Sequence, residues 1–293
     1  MKPPPFEYHL PKSIEEACGL LARHENAKVL AGGQSLMPML NLRYVYPDHL
    51  VDINKVGGLD HITVGPDHVS IGSRTRQRAI EIDNDIAQVS PIFAEALALV
   101  GHRQTRNRGT LGGSLCHLDP AAELPLVALV HDATVRTAKA GNASRAMPIG
   151  TFIAGFMSPA IDLDELVVSI DFPIWPTGHG HAFIERARRH GDFAIASAAC
   201  LMVIDPAGRI ERVAVGVGGL GSVPVRVAAA EQALLGTSGG EEVFAQAAAH
   251  CDGIEALSDF HGHAAYRRSI ATALVRRALV SAYERAGKME NAR

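Results

Sequence analysis

The 293-residue chain is 47% hydrophobic and sets 28 Lys and Arg against 31 Asp and Glu, for a formal net charge of -3. That length holds two ordinary domains or one large one with substantial cores, and with no basic stripe interleaved with aromatics it gives no reason to expect nucleic acid as a partner. No apolar run approaches the roughly 18 residues that cross a bilayer, and the opening MKPPPFEYHLPKS lacks the apolar segment of a secretory signal, so no membrane span and a cytoplasmic location are expected.

In chain order, Ser13 followed three residues later by Glu16 predicts a capping box and a helix to about His24. Lys28-Val29-Leu30 reads as a short strand running into Ala31-Gly32-Gly33-Gln34-Ser35, and Leu36 to Leu40 as the helix after that turn. His49 to Ile53 closes a first α/β unit, and Gly57-Gly58 marks a break. Alternating strands are expected at 60–64 and 68–72, helices at 75–83 and 91–100, and strands at 132–138 and 165–171. Two prolines and a glycine in 171–178 make the best linker in the chain. Beyond it, strand-like runs at 181–187, 195–204 and 210–217 precede an Ala-rich helix near 226–235, another at 241–250 and a last one beginning near Tyr266, which fits a three-stranded antiparallel sheet covered by helices. The expected division is 1–57, 58–175 and 176–293.

Four sites could carry chemistry. Gly216-Val217-Gly218-Gly219-Leu220-Gly221 satisfies G-x-G-x-x-G, yet Pro224 biases Val223 away from helical geometry where a dinucleotide fingerprint needs a helix to open, so a tight turn is the better reading. Ala31-Gly32-Gly33-Gln34-Ser35 and Thr110-Leu111-Gly112-Gly113-Ser114 each pair glycines with hydroxyls. Each is either an ordinary turn or half of a phosphate cradle in which unencumbered N–H groups converge. Cys116-His117-Leu118-Asp119 lacks a second ligand pair, so no metal site is expected, and Asp119 before Pro120 suits the cap of the helix that Ala121 opens. Cys18, Cys116, Cys200 and Cys251 stand far apart and read as buried thiols.

These residues resemble a known family, the FAD-binding medium subunits of molybdenum hydroxylases, of the carbon monoxide dehydrogenase and xanthine dehydrogenase type. The resemblance rests on the segments 31–35, 104–114, 119–125 and 188–194, with Gly218-Gly219, Pro224-Val225-Arg226 and Tyr266-Arg267 further on. It implies an α+β chain: a two-subdomain FAD-binding fold of the vanillyl-alcohol-oxidase and molybdopterin-dehydrogenase type, then a smaller C-terminal domain. It also implies that Val29, Leu30, Ala31, Gly32, Gly33, Gln34, Ser35 and Leu36 wrap the FAD pyrophosphate and that Thr110, Gly112, Gly113 and Ser114 meet it from the other side. Asp119 and Glu123 would bond nearby parts of the cofactor, and Leu166 and Phe193 would lie near its adenine or flavin ring; the family often has Tyr where this chain has Phe193. Valine at Gly33 or Gly113 is expected to strip FAD by filling the phosphate approach. No residue of the chain is expected to be catalytic in itself. The implied partners are a large molybdenum-cofactor subunit and a small subunit with two 2Fe-2S clusters, in a dimer of heterotrimers. The alternative is a stand-alone FAD-dependent oxidoreductase acting on its own small organic substrate.

Overall fold

The computed structural model describes the chain from Lys2 to Lys288. The first unit is a three-stranded parallel sheet of order β1-β3-β2, formed by β1 (Glu7–His9), β2 (Ala27–Leu30) and β3 (His49–Asp52). Parallel neighbours need a crossover: the neighbours β2 and β3 are joined through the short α2 (Leu36–Asn41), and α1 (Ile14–Arg23) leads from β1 to the far edge strand β2. Ser13 caps α1 by accepting from the Glu16 N–H at 3.1 Å, and Glu16 reaches back to the Lys12 N–H at 2.7 Å, one residue before the reciprocal bond of a standard capping box. The buried face of α1, Ala17, Cys18 and Leu21, packs with Val51, Ile53, Val56, Leu59 and Leu166.

The second sheet is antiparallel, order β4-β5-β10-β6-β7, built from β4 (Ile62–Val64), β5 (His68–Gly72), β6 (Thr134–Ala138), β7 (Ser144–Pro148) and β10 (Leu166–Pro173), with a small ribbon of β8 (Ile153–Gly155) and β9 (Ser158–Pro159) alongside. Last in sequence but central in space, β10 pairs with both β5 and β6. Its helices are α3 (Gln77–Glu81), α4 (Asn84–Val89), α5 (Ile92–Leu99), α6 (Arg103–Arg108), α7 (Leu111–His117), α8 (Glu123–Val130) and α9 (Ile149–Phe152). Every residue of α8 is buried, as expected of a helix apolar on all sides, and it packs against α5 and also against the third sheet.

That third sheet has the order β11-β12-β13-β14, from β11 (Gly180–Ala187), β12 (Ala194–Ile204), β13 (Ile210–Gly218) and β14 (Val225–Arg226). The three long strands are the expected ones, and the two-residue β14 is an addition at the edge. It takes the first residue from the expected Ala-rich helix, so α10 (Ala228–Leu234) starts at Ala228; α11 (Glu241–Ala249) and α12 (Ala264–Lys288) follow. The helix α12 lies across β11 and β12.

Two further expectations need correction. Residues 111–117 are not a glycine turn but the helix α7, because the Thr110 side chain accepts from the Gly113 N–H and opens a helix there. Asp119 does not cap α8: its Oδ1 accepts from the Ala121 N–H at 2.9 Å, closing a separate turn, and α8 begins only at Glu123 with Ala122 at its cap position. A carboxylate before proline forms such a local turn as readily as a cap.

Candidate functional site

The first glycine segment rests on the chain just before the second, far away in sequence. A Cβ built on Gly32 would lie 2.3 Å from the Arg108 carbonyl oxygen and 2.9 Å from Gly109 Cα. Only glycine allows the first loop to rest directly on the chain that enters α7. Arg76 locks the contact. One of its guanidinium nitrogens donates to the Arg108 carbonyl, and the other donates to Asn54 Oδ1 at 2.6 Å. Asn54 in turn donates through Nδ2 to the Ala31 carbonyl at 2.8 Å and to Asp52 Oδ1 at 2.6 Å. The Tyr8 hydroxyl donates to the remaining oxygen, Asp52 Oδ2, at 2.6 Å. Burial first, then the neighbouring charges of Arg108 and Arg74, hold the Arg76 guanidinium below its ordinary range, against the opposing pull of Asp52 and Asp60. Neither Arg76 nor Asn54 was singled out by the sequence; the only available signal is the Asx turn at Asp52-Ile53-Asn54, where Asp52 Oδ1 also accepts from the Asn54 N–H.

The loops differ in what they leave free. Among the described residues, no protein group accepts from the backbone N–H groups of Gly33, Gln34, Ser35 or Leu36, and the Ser35 hydroxyl makes no capping bond to α2. This run of donors, beside the Arg76 and Arg108 charges, fits an anionic phosphate group. In the second segment the donors are used. Leu111 N–H goes to the Thr75 carbonyl, Gly112 N–H to the Ser73 carbonyl, Ser114 N–H to the Thr110 carbonyl and Gly113 N–H to Thr110 Oγ1. Among the described residues, the Ser114 hydroxyl and the Thr110 N–H there have no protein partner.

The glycines therefore act differently from the expectation that a Cβ would fill the phosphate approach. Gly33 has φ of +72°, a left-handed conformation costly for other residues, and its Cβ would meet Met37 and Leu30 side chains. A Cβ on Gly113 would meet Thr110 Oγ1 at 2.7 Å and break the cap of α7.

Glu123 and Glu185 bring two carboxyls together near the start of α8. Burial and then the neighbouring Glu185 push Glu123 up to about 8, and burial pushes Glu185 up to about 7. Burial thus favours the protonated form of both groups, and a protonated carboxyl can donate a hydrogen bond as well as accept one. The segment before Glu123 is fixed from behind: Gly219 N–H donates to the Pro120 carbonyl at 2.8 Å, and Gly219 has φ of +77°. Arg267 donates to the Gly219 carbonyl at 2.6 Å and the Ile195 carbonyl at 2.7 Å, with a bidentate pair to Asp259 at 2.8 Å. The glycine-rich 216–221 stretch is thus the end of β13 and a tight turn, and the next helix opens only at Ala228.

Two further expected contacts differ in burial. The Leu166 side chain is 3% exposed and packed in the core under α1. Phe193 is 72% exposed, on the turn joining β11 and β12. Gly191 in that turn abuts His102, at the start of the helix that leads to Arg108 and Gly109. Cys18, Cys200 and Cys251 are buried, and burial pushes the Cys116 and Cys251 thiols up to about 12. No helix among the described residues is long and apolar enough to cross a membrane.

Comparison with known proteins gives consistent findings over almost the whole chain. Residues 4–175 match the family model described as the FAD binding domain in molybdopterin dehydrogenase, and residues 181–282 match the CO dehydrogenase flavoprotein C-terminal domain. The 6-hydroxypseudooxynicotine dehydrogenase complex subunit alpha of Paenarthrobacter nicotinovorans is 41% identical, over 98% of this chain and 97% of that protein. Caffeine dehydrogenase subunit beta of Pseudomonas sp. strain CBB1 is 35% identical, over 97% of each chain. Among solved structures, carbon monoxide dehydrogenase from Hydrogenophaga pseudoflava superposes with a TM-score of 0.94 at 34% identity, covering 97% of this chain and 99% of that one. Quinoline 2-oxidoreductase from Pseudomonas putida 86 gives 0.93 at 34% identity, covering 98% and 99%.

Proposed function

The chain belongs to the FAD-binding medium subunits of the molybdenum hydroxylases, and from that premise we propose that it is the electron-transfer subunit of such a complex. It receives electrons from the iron-sulfur clusters of a small partner subunit and delivers them to a final acceptor, while a large molybdenum-cofactor subunit oxidises the substrate. The relatives' own designations, as a complex subunit alpha, a subunit beta and medium chains, support an assembly of this kind. In this reading the assembly is a dimer of heterotrimers, and segments 1–57, 58–175 and 176–293 are its three structural units in this chain.

FAD supplies the redox chemistry when bound; the chain supplies position and electrostatics. The observation that carries the reading is the unclaimed run of N–H groups from Gly33 to Leu36, set against Arg76 and the loop at Arg108. Those donors, with the Ser35 hydroxyl, would hold the pyrophosphate along Val29 to Leu36, and Thr110 and Ser114 would approach it from the second side. Glu123, pushed up by burial, would in its protonated form donate a hydrogen bond to the cofactor, with Asp119 as acceptor beside it. Phe193 can offer only ring packing, since it lacks a hydroxyl. Leu166 would support the site from the core, because its side chain is committed there.

The test compares the purified three-subunit complex with one assembled without this chain. Substrate should still bleach the iron-sulfur absorbance in both, while turnover with an external acceptor should require this chain and its FAD. A chain that stays colourless after FAD addition overturns the proposal, as does an isolated chain whose flavin is reduced by a small organic substrate without partners.

A further inference from the structure

Three histidines from three different elements converge on the first sheet, away from the glycine loops. His9 ends β1, His49 begins β3 and His24 is the C-cap residue of α1. In the parallel register of β1 and β3, Glu7 pairs with His49 and His9 with Val51, so Glu7, His9 and His49 project from one face of the sheet, the face on which α1 ends. His9 Nε2 and His49 Nδ1 are 3.1 Å apart. The ring centroids lie 4.9 Å apart for His9 and His24, 5.3 Å for His9 and His49, and 4.1 Å for His24 and His49. One nitrogen from each ring can be chosen so that all three lie within 4.8 Å of one another. The Glu7 carboxylate stands over the same point, 3.8 Å from His9 Nε2 and 3.5 Å from His49 Nδ1.

We propose that His9, His24 and His49, with Glu7 or a water as fourth ligand, form a binding site for a divalent transition-metal ion, of which Zn2+ is the best match. Three neutral imidazoles and one carboxylate are a donor set suited to tetrahedral zinc. With Zn–N bonds of about 2.0–2.1 Å, nitrogens around a tetrahedral ion stand about 3.4 Å apart. The His9 and His49 nitrogens, 3.1 Å apart, are close to that spacing, and the His24 nitrogen lies within 4.8 Å of them. The His9 and His49 side chains are 13% and 20% exposed, so they are half-enclosed yet reachable by an ion from solvent. His24 carries no hydrogen bond from its ring to another protein group among the described residues, which leaves both of its nitrogens available as ligands.

The site's place in the fold gives its role. The glycine loop leaves the carboxyl end of β2 at Leu30, whereas His24 lies just before β2 begins and His49 at the start of β3. The ion would therefore sit at the opposite end of the sheet from the phosphate-holding donors. It would pin β1, α1 and β3 together, a structural clamp with no part in electron transfer. Sequence spacing could not disclose it, because no two of the three histidines fall within a ligand-pair interval of one another.

The full chain, stripped with EDTA and desalted, is titrated with ZnCl2 by calorimetry at neutral pH. One Zn2+ per chain should bind with a Kd below about 1 µM, and the melting temperature should rise with added Zn2+ as binding to the folded state requires. His24→Ala and His49→Ala should each weaken binding at least about tenfold, and the two together should abolish the melting shift, while FAD content stays unchanged. Co2+ should give the visible absorption of a tetrahedral site, lost in His49→Ala. Zn2+ binding no tighter than about 100 µM, or binding that neither variant weakens, overturns the proposal; because His24 caps a surface helix, its variant remains informative even if His49→Ala folds poorly.

Discussion

Gly32-Gly33 and Gly112-Gly113 carry the same local pattern, a glycine pair beside a hydroxyl, and they differ in where their backbone donors go. In the first segment the N–H groups from Gly33 to Leu36 have no protein acceptor among the described residues; in the second, Leu111 to Ser114 all do. Glycine serves close packing in both places, but against different neighbours: the Arg108 carbonyl for Gly32, and Ser73 for Gly112. The comparison separates two functions that one sequence pattern hides. The first segment offers donors and rests on Arg108 and Gly109, and the second packs its backbone against Ser73 and Thr110.

Substitutions that strike one segment and not the other should therefore differ in size. The largest effect is expected from Gly32→Val, whose Cβ would sit 2.3 Å from a backbone oxygen that cannot move aside cheaply. It should remove nearly all FAD from the purified complex, read as flavin absorbance per protein; retention of normal flavin would show that the loops do not need to touch. Next comes Arg76→Met, which removes both hydrogen bonds of the bridge and a positive charge. An FAD affinity lowered about tenfold to a hundredfold is expected from equilibrium dialysis, since bonds to a charged group contribute about 1.5–3 kcal/mol. A change below threefold would leave the bridge as packing only.

Gly113→Ala should act more gently, because it disturbs the Thr110 cap of α7 and no free donor. A stability loss of about 1 kcal/mol in denaturant titration is the expected outcome, with FAD still bound; complete FAD loss would return the second segment to equal standing with the first. Glu123→Gln tests the carboxyl pair. Because Glu123 is raised from 4.5 to about 8, the folded chain binds a proton that the unfolded chain releases. The associated stability is present below about pH 4.5 and is lost as pH rises toward 8. The glutamine variant should flatten the fall in melting temperature across that range, and an unchanged pH profile would show that Glu123 is not raised. The smallest effect belongs to Phe193→Ala, at an exposed turn, where stability should change by less than about 0.5 kcal/mol.

Much of the element order was legible before the structure. The Ser13 and Glu16 pair marked the start of α1, the glycine turn after Leu30 marked the end of β2, and the three long C-terminal strands followed from their apolar runs. The glycine and Asp119-Pro120 segments also carry the resemblance to the family. The helix α7 was not legible, because two glycines argue for a turn unless the cap at Thr110 is seen to hold. Neither was the start of α8, since an Asx turn and a helix cap use the same residues with the same local chemistry.

Sequence by itself determined the features that depend on neighbours a few residues away: caps, turns, strand alternation and the residue types able to hold a phosphate. Only the tertiary structure decided which donors are free, because the acceptors for Leu111 and Gly112 are Thr75 and Ser73, brought in from another part of the chain. The same holds for the Arg76 bridge and for the meeting of His9, His24 and His49, whose partners are set by strand order and helix packing. A side chain's type fixes what it can bond, and its fold fixes what is within reach.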